Sequence, residues 1–216
     1  MSSTAIDDAP PWQADQEWAN AATHGFAAIV SILAGAWLIS QAWAISSGMT
    51  LACLAYLASI VGTFTFSTLS HLVPPSPLLN RLRAWDQAMI YTMIAGTYTP
   101  IIVRFAPSTV SAWLLPAMWA AAIAGFVSKV AIAHRVNSIG TLSYILLGWL
   151  PAMPLSPHVT DIVVRGMFAG GIVYSLGVVM LMNDHRIRYL HAGWHLMVMT
   201  AASIHFWMIG WHVATT

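Results

Sequence analysis

Long apolar runs, separated by short polar or charged breaks, dominate the chain. Residues 18–80 contain no Asp, Glu, Lys or Arg, and further charge-free stretches cover 87–103, 105–128, 136–160, 166–183 and 189–216. A helix needs about 20 apolar residues to cross a bilayer. The first stretch holds two such helices, with the polar break Ser46-Ser47-Gly48 supplying the turn, and each of the others holds one. The pattern predicts seven helices over 20–43, 50–73, 85–104, 109–131, 138–156, 162–182 and 191–213. The alternating segments of a membrane β-barrel are too few. Small-residue faces at Ala34, Gly35 and Ala36, and at Gly166, Gly170 and Gly171, let helix backbones approach closely. Pro100, Pro116, Pro151 and Pro154 fall in or near spans, where neighbouring helices satisfy the freed carbonyls.

Composition agrees with this reading. The chain has 216 residues, of which 58% are hydrophobic and 7% charged, against about 25% charged in a soluble domain. Such a chain cannot cover a soluble surface. A disordered chain lacks this composition, a secreted disulfide scaffold needs more than Cys53, and a nucleic-acid binder needs a basic patch. The expected class is an all-α integral membrane bundle of seven transmembrane helices over 20–213. Residues 1–19, with Asp7, Asp8, Asp15 and Glu17, read as a short polar tail without the basic start of a signal peptide.

Charge sets the orientation. The side holding the N-terminus also holds Arg81, Arg83, Lys129, Arg135, Arg186 and Arg188, and the opposite side holds Arg104 and Arg165. Six cations against two place the N-terminus in the cytoplasm and the C-terminus outside. That is opposite to the G-protein-coupled receptors. Retinal proteins need a lysine within the bundle, whereas the sole lysine, Lys129, falls at the cytoplasmic end of helix 4. Trp12, Trp18, Trp43, Trp85 and Trp211 lie near span ends, as an interfacial belt requires.

Nine histidines are the candidate chemistry, since ionisable groups inside a membrane are functional candidates by default. Alternating helix direction brings Ser67, Ser70 and His71, Asp86, His191 and His195, and Glu17, Asn20 and His24 to one layer near the cytoplasmic face. His191 and His195 are one turn apart, with Cβ atoms expected about 5–6 Å from each other, so both imidazoles can reach one metal. His71 supplies a third ligand from another helix, leaving an open fourth position as in catalytic zinc sites. Asp86 is placed to hold a water or take its proton, and Ser67 to orient the water or a substrate carbonyl. Glu17, Asn20 and His24 follow an i, i+3, i+7 pattern suited to fixing ring tautomers behind the ligands.

Plainer readings suit other positions. His205 and His212 read as interhelical hydrogen-bond partners, and His134, His158 and His185 as solvated loop residues. Arg81, Arg83, Arg186 and Arg188 read as topology signals that also touch lipid phosphates. A haem reading uses His191 and His205, 14 residues apart on one face, but needs a matching pair on a second helix, and helices 1 and 2 offer only His24 and His71.

The motifs resemble the hemolysin III family. They comprise Glu17-Trp-Ala-Asn20-Ala-Ala-Thr-His24-Gly25, Ser67-Thr-Leu-Ser-His71, Asp86 with Ile94-Ala-Gly-Thr-Tyr-Thr-Pro100, Tyr144-Ile-Leu-Leu-Gly148-Trp149, Gly170-Gly-Ile-Val-Tyr174-Ser-Leu-Gly177, and His191-Ala-Gly-Trp-His195 with His205-Phe206. The match covers nearly all the chain beyond the tail. This family is the bacterial branch of the progestin and adipoQ receptor superfamily, which includes the adiponectin receptors. The resemblance implies seven helices with an inside N-terminus, a bacterial inner-membrane location, and zinc held by His71, His191 and His195. It also implies that Asp86 contacts zinc through water with Ser67 beside it. Related superfamily members resemble ceramidase-type lipid-amide hydrolases. At position 87 this chain has Gln where bacterial relatives often have His.

Three functions follow as expectations. The first is a zinc-dependent hydrolase of a membrane lipid amide or ester. The second is a non-enzymatic membrane regulator in which zinc is structural. The third is a hemolysin-type cytolytic protein, although long amphipathic pore-forming segments are lacking. An apolar cavity reaching the metal favours the first, a closed four-ligand site the second, and a continuous polar path the third. Membrane lipids are the expected substrate or ligand, and no nucleic-acid partner is expected.

Overall fold

A computed structural model describes residues 14–132 and 138–215. Among these residues the protein is all-α, without strands. Seven main helices run in order: α1 Ala14–Ile45, α2 Ser47–Leu72, α3 Pro77–Phe105, α4 Ser108–Val127, α5 Ser138–Trp149, α6 Asp161–Asn183 and α7 Leu190–His212. Four segments combine the length and apolarity needed to cross a membrane: Ala14–Ile45, Ser47–Leu72, Ser108–Ala131 and Asp161–Asn183. Exposed Trp18, Trp43 and Trp211 lie near helix ends, Trp85 falls inside α3 because that helix begins at Pro77, and Trp12, Arg135 and His134 fall outside the described residues.

Several helix ends differ from the hydropathy reading, for local reasons. α1 starts at Ala14, so Asp15 and Glu17 sit in its first turn, where acidic side chains complement the helix dipole. α3 starts eight residues before its apolar stretch. The Ser76 side chain caps it by accepting from the Leu79 N–H at 3.2 Å, and Pro77 opens the first turn, both standard start signals. α5 stops at Trp149 ahead of Pro151, and the chain continues as one short α turn, Ala152–Leu155, and one 3-10 turn, Ser156–His158; proline removes the N–H that a longer helix would need. α4 ends in a π-helical turn, Ser128–Ile132.

Sequence neighbours pack as antiparallel pairs, α1 on α2, α2 on α3, α3 on α4 and α6 on α7, and α1 closes against α7. Small residues set these approaches. A Cβ at Gly35 would stand 2.4 Å from Leu57, one at Gly166 2.6 Å from Met208, and one at Gly170 2.2 Å from His205. The α6–α7 connection is tied to the first turn of α1. Arg188 and the Tyr189 hydroxyl donate to the Asp15 carboxylate, and the Tyr189 N–H donates to Gln16 Oε1 at 2.9 Å. Tyr189 adopts a left-handed conformation, φ 62°, an unfavourable one for a bulky residue; these bonds hold it. The tie fixes where α7, and so His191, begins.

Candidate metal centre

His71 stands at the end of α2, and His191 and His195 stand one turn apart at the start of α7. One ring nitrogen from each lies within 4.8 Å of the other two. The ring centroids are 5.2 Å apart for His71–His191, 5.1 Å for His71–His195 and 4.8 Å for His191–His195. The sequence layer containing these three residues is therefore a spatial cluster.

Each ring is oriented through its Nδ1. His71 Nδ1 meets Glu17 Oε2 at 2.5 Å, and His191 Nδ1 meets Asp184 Oδ2 at 2.8 Å. His195 Nδ1 meets the Asn20 carbonyl and the Thr23 hydroxyl, each at 3.1 Å. An Nδ1 that donates to oxygen leaves Nε2 as the lone-pair atom, the tautomer a metal requires. His71 Nε2 is buried and has no hydrogen-bond partner among the described residues. An orphaned ring nitrogen inside a bundle is costly, and a cation satisfies it. Three neutral imidazoles suit zinc, so the residues present fit the ion.

Around the cluster, Asp86 on α3 accepts from the Ser70 hydroxyl at 3.1 Å. It is not part of the three-residue ligand group found among the described residues. The Ser67 hydroxyl pairs with His24 Nδ1 at 2.7 Å. The His24 ring lies flat against His195, 3.6 Å between centroids at 8°, so it touches the cluster by stacking. Asn20 acts through its backbone carbonyl, and its side-chain Oδ1 is buried without a partner among the described residues. Glu17 also lies 3.9 Å from Arg83.

Two holders escape the sequence pattern. Asp184 lies in the α6–α7 connection, outside any helical period, and Thr23 falls between the i, i+3 and i+7 positions of α1. The remaining histidines divide as follows. His205 Nε2 meets the Met167 carbonyl on α6 at 3.4 Å, and His212 packs on the Trp207 ring. His158 and His185 are exposed.

A cavity of about 180 Å³ joins the cluster. Ser67, Asp86, His191 and His195 line one part of it, and Ile94, Ile101, Ile145, Met167, Val198 and His205 line the rest. His195 and His205 are ten residues apart on α7, about 15 Å along its axis. Apolar walls therefore reach His191 and His195, two of the three clustered rings, from deep in the bundle.

Residues 12–206 match the family model described as Haemolysin-III related. The chain is 32% identical to Hemolysin-3 of Bacillus cereus over 93% of each chain, and 30% identical to the Hemolysin-3 homolog of Bacillus subtilis (strain 168) over 90% of this chain and 92% of that one. It is 26% identical to the human Monocyte to macrophage differentiation factor, over 88% of this chain and 82% of the relative. No solved structure matches. A helical bundle with membrane-spanning segments, matched to this family over nearly its whole length, identifies the chain as a multi-pass membrane protein of the hemolysin III family, within the progestin and adipoQ receptor superfamily.

Proposed function

We propose that the protein is a zinc-dependent hydrolase of a lipid amide or ester, with its site near the cytoplasmic face of a bacterial inner membrane, N-terminus inside. The carrying observation is the apolar cavity that ends on His191 and His195, which cluster with His71. His71, His191 and His195 would hold the ion. Bound zinc supplies a Lewis acid and brings the pKa of its water to about 7. The three-residue ligand group favours an open site over a closed, structural one.

The chain's own groups account for the rest. The cavity walls take the acyl chain and exclude bulk water from the polar layer. Asp86, held by Ser70, accepts the proton of the attacking water and returns one to the leaving amine or alcohol. Ser67, fixed by His24, presents its hydroxyl to the developing oxyanion. Glu17, Asp184 and the Asn20 carbonyl keep the three rings in one tautomer.

The test is release of fatty acid from a panel of ceramides, N-acyl amides and phospholipids by the purified protein in lipid nanodiscs. Release that a chelator stops and zinc restores is the expected result. No release from any lipid by zinc-loaded protein would overturn the hydrolase reading in favour of a regulator with structural zinc.

A further inference from the structure

Lys129 is the only lysine in the chain, and it is 3% exposed. Its place at the end of α4 suggested a cytoplasmic topology signal. It stands in the π-helical turn Ser128–Ile132 that follows α4, and it also lines the same cavity as Asp86, His191 and His195. One extra residue in a helical turn rotates the following side chains, and such turns occur frequently at functional sites. A buried ammonium is rare and functional by default.

Its surroundings fix it in place. The Lys129 Nζ lies 6.0 Å from the centroid of the Tyr144 ring, at the reach of a cation–π contact. That ring is itself anchored, because the Tyr144 hydroxyl donates to the Gln87 carbonyl at 2.9 Å and the ring packs on Tyr91 at 4.5 Å. Gln87 adjoins Asp86 in the chain, and both line the cavity. The cation thus lines the same cavity as Asp86 and Gln87, next to the anchored Tyr144 ring. An ammonium has three donors, enough for a protein contact and a ligand oxygen together.

We propose that Lys129 binds an oxyanion, a carboxylate or phosphate, carried on the polar half of the lipid, so that the preferred ligand is an anionic acyl amide. This rests on the reading of the cavity as a lipid-amide site. Turnover is not needed to test it. N-oleoylglycine and N-oleoylglycinamide share the acyl amide and differ in a carboxylate against a neutral amide. Their affinities are measured for zinc-loaded protein in nanodiscs, for the parent, Lys129→Met, Lys129→Gln and the exposed control Arg104→Met.

The parent and Arg104→Met should favour N-oleoylglycine by about 10- to 100-fold, the range for hydrogen bonds to charged groups. Lys129→Met and Lys129→Gln should bring the two ligands within about threefold, the scale left when only the neutral contacts remain. Equal affinities in the parent would overturn the proposal without any variant. So would a preference that survives both Lys129 substitutions. Inorganic phosphate that protects the parent as well as N-oleoylglycine does would show a free-anion site and overturn the lipid-borne assignment. An anionic preference that depends on Lys129, in a protein that cleaves neither compound, would sustain the subsite and count against the hydrolase alone.

Discussion

Removal of Glu17 probes whether the three histidines form a metal site held from behind. Glu17 Oε2 meets His71 Nδ1 at 2.5 Å, with side-chain exposures of 18% and 9%. Water replaces such a contact poorly. Loss of a partner behind a ligating histidine costs about 10- to 100-fold in metal affinity, and each tenfold is about 1.4 kcal/mol. The burial of this pair puts Glu17→Ala near the upper limit, about 100-fold. Glu17→Gln keeps an acceptor but loses the charge, and charge-assisted bonds are about twice as strong as neutral ones. It should therefore lose about tenfold. Asp184 and His191 are 30% and 29% exposed, so water partly replaces Asp184, and Asp184→Ala should lose about tenfold or less. Arg83 is 45% exposed and 3.9 Å from Glu17, a weak surface pair, so Arg83→Ala should leave zinc affinity unchanged. The assay is zinc competition against a fluorescent chelator in detergent. An affinity for Glu17→Ala within about threefold of the parent, well short of the range above, would refute the assignment of Glu17 as the residue orienting His71.

Four other outcomes follow. Metal analysis should find about one zinc per chain in the parent and in His212→Ala, and none in His71→Ala or His195→Ala; equal content throughout would show the ligands misassigned. Asp86→Asn should keep zinc but lose about 10²- to 10⁴-fold in lipid turnover, and full turnover would remove Asp86 from proton transfer. Gly170→Ala places a Cβ 2.2 Å from His205 Nε2, an overpacking expected to cost about 1–3 kcal/mol; an unchanged melting temperature would show that α6 and α7 separate freely there. A reporter fused after Thr216 should be active only outside the cytoplasm, and activity of a cytoplasm-only reporter would invert the orientation.

The fold was legible where charge is scarce. α2, α6 and α7 begin and end close to the edges of apolar stretches, because hydrophobic length is the physical demand a bilayer makes. It was less legible where polar residues continue a helix. The first turns of α3 carry Asn80, Arg81 and Arg83, which hydropathy counts as loop although the Ser76-Pro77 start signal was present. The meeting of His71 with His191 and His195 was readable from alternating helix direction alone. Asp184 was not, because a loop carries no period. The burial of Lys129 was not either, because a π turn shifts the helical phase and leaves no mark in composition. Asn20 was found for a side chain that proved secondary to its carbonyl, a distinction that residue identity cannot make.

The distribution of the histidine cluster along the chain has a consequence for biosynthesis. His71 and its holder Glu17 emerge early, whereas His191 and His195 follow about 120 residues later. At about 5–20 residues per second, the first imidazole waits roughly 6–24 seconds for the others. Throughout that interval the α1–α2 hairpin resides in the membrane with one of the three clustered histidines. If the cluster holds the proposed zinc, metallation would be a late event, following insertion of the final helix and its docking on α1. A chain arrested after α6 would carry most of the bundle and lack two of the three clustered imidazoles, so on the proposed zinc reading occupancy of the site would report completed assembly.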